Sequence, residues 1–351
     1  MEKLLMKGSE AIAEAAVRAG CKLFFGYPIT PQNEIPEYMS KRLFQVGGAF
    51  VQAESEVAAS NMIYGSAAVG ERVMTSSSSP GMALKQEAIS YCAGAELPVV
   101  IVNIMRGGPG LGGIQPSQSD YWQATKPGHG DFHSLVLAPA SIQEAVDLVM
   151  DAFDLADQYR NPVLILADGL IGQMMEPVTF RQPTERVFDK SWAVTGCVDR
   201  KPNIVNSLFL QPQDLEDHNH KLFRKYAQME REEVRVEEYL MDDAELAIAA
   251  YGTTARIART AVDAARTEGI KVGLIRPITL FPFPKAAFER YVGQVKVLLD
   301  VEMSMGQMIE DVRLAVHDRI PVRFYGRVGG MVPSPGEILD QIRTLAQEVS
   351  Q

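Results

Sequence analysis

Pro98-Val99-Val100-Ile101-Val102-Asn103-Ile104 is an apolar, largely β-branched run without polar alternation. That pattern predicts a strand buried on both faces, as in a parallel sheet covered by helices. On its N-terminal side, Arg72-Val73-Met74-Thr75 reads as another strand, Ser76-Ser77-Ser78-Ser79-Pro80-Gly81 as a loop, and Met82 to Ala93 as a helix. Further upstream come a helix from Ser9 to Ala19 ended by Gly20, a strand at Lys22–Tyr27 closed by Pro28-Ile29-Thr30-Pro31, a strand at Ala49–Gln52, and a small-residue helix over Ser55–Val69. On the C-terminal side, a glycine-rich loop from Arg106 to Gly113 precedes a strand at Ser134–Leu137 and a helix from Ser141 through Tyr159. A strand at Pro162–Ala167 reads as the last of this half. Strand, loop and helix thus alternate for about 170 residues, which predicts an α/β fold with a parallel sheet.

The pattern weakens between Gln173 and Asp243, where Pro177 and Pro183 punctuate it. The charged stretch Asp214–Asp243 includes an amphipathic helix near Lys221–Glu232, either a solvated face or a partner-binding arm. At Ala247-Ile248-Ala249-Ala250-Tyr251-Gly252-Thr253-Thr254 the α/β rhythm restarts, with a helix over Ala255–Glu268 and strands at Val272–Ile275, Val295–Leu299 and Val322–Tyr325. The expected organisation is therefore a first domain at 1–175, a connector and charged helical arm at 176–243, and a smaller α/β domain at 244–351.

Composition narrows the function classes. The chain has 351 residues, 46% of them hydrophobic, enough for a core in each domain. With 34 basic against 44 acidic residues the net charge is −10, which argues against nucleic-acid and anionic-membrane partners. Cys21, Cys92 and Cys197 are scattered, so no zinc ribbon or iron–sulfur cluster is expected from this chain, and scarce cysteine fits a cytoplasmic setting. Met1 to Gly8 is too short and mixed for a signal peptide, and the longest apolar run falls far short of a membrane span.

In parallel α/β sheets, ligands gather at the C-terminal strand ends. Three unusual segments follow predicted strands there: Tyr27–Pro31, Glu54–Glu56 and Arg106–Asp120. The glycine-rich loop matches neither phosphate-binding glycine pattern, so its glycines are explained equally well by backbone turns. Arg106 is more telling, because a guanidinium grips a carboxylate through two hydrogen bonds. Glu54 and Glu56 open a helix rich in Ala, Gly and Ser; an acid there is either ordinary helix-start chemistry or a buried functional carboxylate. Thr30, held between two prolines, is either a pre-organised ligand contact or a structural turn residue. His129 and His133 lack a helical metal-binding context, and His218-Asn219-His220 is expected to be solvated.

Lys7-Gly8-Ser9-Glu10-Ala11, Gly26-Tyr27-Pro28-Ile29-Thr30-Pro31, Gln52-Ala53-Glu54-Ser55-Glu56, Ser77-Ser78-Ser79-Pro80-Gly81 and Arg106-Gly107-Gly108-Pro109 occur in an order and spacing that carry a resemblance. As a set, over nearly the whole chain, they resemble the alpha subunit of the thiamine-diphosphate-dependent 2-oxoacid:ferredoxin oxidoreductases, most of all the branched-chain 2-oxoisovalerate type. The resemblance implies a pyrimidine-binding (thiamine diphosphate) first domain and a second domain like the transketolase C-terminal domain. In that family an acid hydrogen-bonds N1′ of the cofactor's aminopyrimidine. The 2-oxoacid is decarboxylated, electrons pass through iron–sulfur clusters to ferredoxin, and the acyl group goes to coenzyme A.

Aligned on the Ala-rich helix, with Gly65 nine residues after it, the family's glutamate falls on Glu56, with Glu54 as the fallback. The resemblance places the 2-oxoacid contacts on Thr30, Arg106 and Gly107, and the cofactor contacts on Tyr27, Pro28, Ile29, Ser79 and Gly81 beside Glu56. The diphosphate-and-Mg²⁺ motif expected of thiamine enzymes is missing. Ala167-Asp168-Gly169 comes nearest and lacks both the first Gly and the downstream Asn. The resemblance therefore implies half a cofactor site and no metal ligands here. A beta subunit would bring the diphosphate and Mg²⁺, and gamma and ferredoxin-like delta subunits the clusters. Gln32 and Asn33 stand where pyruvate-type relatives carry small hydroxyl residues. A 2-oxoglutarate enzyme would need a second cation, with Lys126 and Arg106 as candidates. Other readings are a single-chain transketolase-like or decarboxylase enzyme, a nucleotide-binding module and a non-catalytic assembly subunit.

Overall fold

The computed structural model describes residues 3–350. In chain order the elements are β1 (Leu4–Lys7), α1 (Gly8–Arg18), β2 (Leu23–Gly26), α2 (Glu34–Gln45), β3 (Ala49–Gln52), α3 (Glu56–Ala68), β4 (Val73–Ser77), α4 (Pro80–Gly94), β5 (Val100–Met105), α5 (Tyr121–Thr125), β6 (Leu135–Leu137), α6 (Ile142–Tyr159) and β7 (Val163–Asp168). They continue as α7 (Gly169–Gln173), β8 (Met175–Val178), α8 (Pro212–Glu232), β9 (Val236–Tyr239), β10 (Leu246–Ala249), α9 (Gly252–Thr267), β11 (Val272–Pro277) and β12 (Thr279–Phe281). The chain ends with α10 (Lys285–Glu289), β13 (Val297–Glu302), α11 (Met308–Val316), β14 (Val322–Gly326) and α12 (Pro335–Ser350).

Two main sheets result. One has seven strands in the order β12-β6-β7-β5-β4-β2-β3, parallel except for the antiparallel edge strand β12. Every residue of β5 is buried, because helices cover both faces of the sheet. The second sheet runs β14-β13-β10-β11-β9, parallel apart from β9. β1 and β8 form a separate antiparallel ribbon.

Several sequence expectations need correction. Pro162–Ala167 is not the last strand of the first sheet, since β12 arrives from beyond residue 243 and pairs with β6. Ser76 and Ser77 belong to β4 and Pro80 already opens α4, so the expected loop shrinks to a two-residue hinge. The helix of the charged stretch spans 21 residues rather than the twelve expected. It lies against the first domain through buried Leu222, Tyr226 and Met229. His218 is not simply solvated: its Nε2–H donates to the Gly94 carbonyl at 2.7 Å, and its ring stacks on Phe209.

The two sheets meet through the loop after β5. Gln118, fully buried, donates from its backbone to the Met303 carbonyl (2.8 Å) and from its side chain to the Tyr251 carbonyl (2.8 Å), and accepts from the Thr254 hydroxyl (2.8 Å). The Tyr121 hydroxyl reaches Asp311 at 2.6 Å. Thus the 106–121 segment is fixed on one side by the first sheet and on the other by the second domain.

Candidate functional site

The sequence-predicted residues converge at the C-terminal ends of β2 to β5. Glu56 is the first residue of α3, where the Ser55 hydroxyl caps the helix by accepting from the Ala58 amide. Its side chain is buried, at 6% exposure, whereas Glu54 is exposed. The alternative between the two acids therefore falls to Glu56 on accessibility.

Gly81, in the first turn of α4, faces that carboxylate. A Cβ at position 81 would stand 2.7 Å from Glu56 Oε1 and 2.2 Å from Ser77 Oγ, so the space beside the acid exists only because residue 81 is glycine. The buried hydroxyls of Ser77 and Ser78 have no hydrogen-bond partner within the chain. Together these features fit an aromatic nitrogen heterocycle seated against the carboxylate.

Ser79 links this corner to the next strand. Its φ of +29° lies in the left-handed region, a strained conformation for a non-glycine residue. The surroundings hold it there. Its hydroxyl donates to Asp120 Oδ2 at 2.6 Å and accepts from the Arg106 amide at 3.0 Å, and its own amide donates to Asn103 Oδ1 at 3.2 Å. Asn103 also donates to Asp120 Oδ2, at 3.0 Å. Burial pushes the Asp120 carboxyl above its ordinary value, against the pull of Ser79, Asn103 and the Arg106 charge.

Arg106 is buried at 7% exposure. Nη1 donates to the Thr30 carbonyl at 2.8 Å and Nη2 to the Leu111 carbonyl at 3.3 Å, while Nε has no partner within the chain. The guanidinium therefore ties the Tyr27–Pro31 turn to the glycine-rich loop. Thr30 is exposed, and its hydroxyl accepts weakly from Asn33 Nδ2 at 3.4 Å. Thr30 and Asn33 line a cleft of about 480 Å³ with Ile114, Gln115 and Pro116. Tyr27 and Ile29 are half-buried and Pro28 is exposed; the Tyr27 carbonyl accepts from buried Gln32 at 3.2 Å. Gly107 is buried against Gly329 and Gly330 of the second domain.

The glycine-rich loop closes on itself, with the Gly113 amide donating to the Gly107 carbonyl at 2.8 Å. Gly112 has φ +58°, and a Cβ there would fall 1.9 Å from the Gly107 carbonyl, so its glycine serves the turn. Asp168 caps α7, accepting from the amides of Leu170 (2.8 Å) and Ile171 (3.3 Å). Among the described residues no group of three or more His, Cys, Asp or Glu side chains is placed to hold a metal. The chain thus fits the ring of a cofactor and offers nothing for a metal-bound diphosphate. Lys126, the candidate second cation, pairs at the surface with Glu310 (3.3 Å) and Asp311 (3.8 Å).

Sequence reasoning missed three buried polar residues. Asn103 interrupts an otherwise apolar buried strand, and that interruption was the available signal. Lys85 occupies a position on the buried face of α4 shared by Met82, Ile89 and Cys92, and is itself fully buried. Asp120 carried no local signal, because its partners are contributed by β4, β5 and the turn after them.

Comparison with known proteins bears on this arrangement. Residues 14–243 match the family model described as pyruvate flavodoxin/ferredoxin oxidoreductase, thiamine diphosphate-binding, and residues 244–338 match the pyruvate:ferredoxin oxidoreductase core domain II. The chain is 52% identical over 350 residues to the ketoisovalerate oxidoreductase subunit VorB of Methanothermobacter marburgensis, covering 99% of each chain. It is 34% identical to the 2-oxoglutarate synthase subunit KorA of the same organism, over 97% of this chain and 98% of that one. Among solved structures, the 2-oxoglutarate:ferredoxin oxidoreductase of Magnetococcus marinus superposes with a TM-score of 0.90 at 26% identity. That match covers 99% of this chain and 66% of the longer relative, so this chain spans just under two thirds of it. A split-gene transketolase shares the fold, with a TM-score of 0.62 at 15% identity over 97% of this chain and 98% of that one. The α/β fold expected from the sequence is borne out, as is the resemblance to its family.

Proposed function

Because this chain belongs to the pyruvate flavodoxin/ferredoxin oxidoreductase family, we propose that it is the alpha subunit of a 2-oxoacid:ferredoxin oxidoreductase acting on a branched-chain 2-oxoacid. Identity of 51–52% to two ketoisovalerate oxidoreductase subunits, against 34–35% to the 2-oxoglutarate relatives of the same two organisms, supports the branched-chain substrate. Lys126, engaged by Glu310 and Asp311, is a poor partner for a second substrate carboxylate.

The observation that carries the site is buried Glu56 beside the space that Gly81 leaves open. Glu56 holds the pyrimidine nitrogen of thiamine diphosphate through a charge-assisted hydrogen bond, strengthened by the absence of water. Tyr27, Pro28, Ile29, Ser79 and Gly81 surround the ring. The cofactor, when bound, supplies the carbon nucleophile for the 2-oxo group. Thr30, Arg106 and Gly107 receive the 2-oxoacid, whose carboxylate meets the unpartnered Nε of Arg106. A beta subunit brings the diphosphate and Mg²⁺. Gamma and ferredoxin-like delta subunits carry the iron–sulfur clusters that pass electrons to ferredoxin, and coenzyme A takes the acyl group.

The test compares Glu56→Gln with Glu54→Gln in the complex reconstituted with its partner subunits, following ferredoxin reduction by a branched-chain 2-oxoacid. Loss of roughly 10²–10⁴-fold is expected for Glu56→Gln, and near-normal rates for Glu54→Gln. Retention of most activity by Glu56→Gln removes the assigned role. Preference for 2-oxoglutarate across a substrate panel removes the branched-chain assignment.

A further inference from the structure

Lys85 is fully buried in the middle of α4. Its Nζ donates to the Thr75 hydroxyl at 3.1 Å and lies 3.5 Å from the backbone carbonyl of Glu56. Burying an ammonium group is costly, and a methionine would fill the same volume without that cost. Nor can the side chain extend its charge to water, as exposed lysines do. The position is therefore unexplained by packing. Its one distinguishing neighbour is the first turn of α3, which carries the carboxylate that the site presents to its ligand.

We infer that Lys85 is a positioning residue for the thiamine ring: its ammonium, sealed under the first turn of α3, holds Glu56 as the anion. Glu56 then accepts rather than donates the hydrogen bond at the ring nitrogen. The inference rests on Glu56 meeting that ring. Glu56 is the charged side chain that acts on Lys85 among the described residues, and β4 contributes the neutral hydroxyl of Thr75. In a dry site, an opposite charge at such range favours the ionised carboxylate by far more than it would in water. Burial itself pulls Lys85 down to about 8, with the Glu56 charge opposing the fall. The positive charge is thus present at neutral pH and lost as the solution becomes moderately alkaline.

The experiment uses the assembled complex loaded with thiamine diphosphate. Circular dichroism of the bound aminopyrimidine reports the protonation state of the ring as pH is varied, independently of turnover. For Lys85→Met, the ring's titration moves to lower pH by about one unit or more, because a Glu56 relieved of its cation protonates more readily. Lys85→Gln, which keeps a donor for Thr75 and the Glu56 carbonyl, shifts in the same way, separating charge from hydrogen bonding. A titration left in place in both variants overturns the inference. If Glu56→Gln also leaves the titration unchanged, the assignment of Glu56 fails and the inference falls with it. A Glu56→Gln effect with silent Lys85 variants removes Lys85 alone. Should neither Lys85 variant assemble, the wild-type complex decides. A second change in the ring signal near pH 8 supports the inference, and its absence overturns it.

Discussion

Arg276 in β11 donates from Nη1 and Nη2 to the two carboxylate oxygens of Glu144 in α6, each at 2.8 Å, while its Nε reaches Glu237 at 2.7 Å. The pair fastens the second sheet to a helix of the first domain, and Arg276 is only 7% exposed. A planar guanidinium satisfying two carboxylates at once cannot be replaced by lysine without losing the fork geometry. Arg276→Met leaves Glu144 and Glu237 facing each other without a cation. A loss of about 2–3 kcal/mol is expected in denaturant unfolding, with Arg276→Lys recovering part of it. Equal stability of wild type and Arg276→Met would show that the clamp contributes nothing net.

Glu14 gives the fold an acid-side dependence. Burial alone would raise its carboxyl, but hydrogen bonds from Arg42 (2.9 Å), Arg18 (2.7 Å) and Tyr38 (3.1 Å) hold it below the usual carboxylate range. Its folded pKa thus lies below the unfolded value. The unfolded chain binds the extra proton as pH falls, so the stabilisation is full above about pH 4.5 and drains away through the folded pKa. Glu14→Gln should cost about 1–2 kcal/mol at pH 7, allowing for the partial exposure of both arginines, and almost nothing at about pH 3. Parallel stability–pH curves for the two proteins would contradict this.

The parallel sheet was legible because its strands are apolar on both faces and its turns carry Gly, Pro and Ser. Leu4–Lys7, Met175–Val178 and Val236–Tyr239 were not identified as strands, since short edge and ribbon strands lack that run and gain their pairing from distant segments. β12 is three residues long, and only tertiary packing brings it to β6. In the site, Glu56, Arg106 and Thr30 stood out through strand-end position and ordered motifs. The choice of Glu56 over Glu54 became visible as burial once Ser55 capped α3, turning residue 56 inward. Lys85 escaped notice because a lysine in a helix is ordinarily solvent-facing.

Gly81 offers a steric test of the cofactor space. A methyl group at this position displaces Glu56 Oε1, Ser77 Oγ or both, because the distances of 2.7 Å and 2.2 Å are too short for carbon–oxygen contact. Both are side-chain atoms, so the helix can survive while the carboxylate moves. Gly81→Ala is therefore expected to weaken thiamine diphosphate binding to the assembled complex at least ~10-fold, with thermal unfolding changed far less. Unchanged cofactor affinity, measured by titration calorimetry, would place the ring elsewhere.

Arg106 serves two purposes that a single substitution can separate. Its Nη groups hold the Thr30 and Leu111 carbonyls, and its unpartnered Nε is the group left for a substrate carboxylate. Arg106→Ala loses both, so it loosens the turn and the glycine-rich loop as well as the substrate. Arg106→Lys keeps the positive charge but can place one nitrogen at one acceptor only. It should raise the 2-oxoacid KM by roughly 10- to 100-fold, the scale of a charge-assisted hydrogen bond, while kcat falls less. Thermal stability of Arg106→Lys should stay close to wild type if the substituted ammonium takes over the Thr30 carbonyl. A variant with lowered stability and unaltered KM would mean that Arg106 is purely a fastener of the two loops, and that the carboxylate is bound by another group.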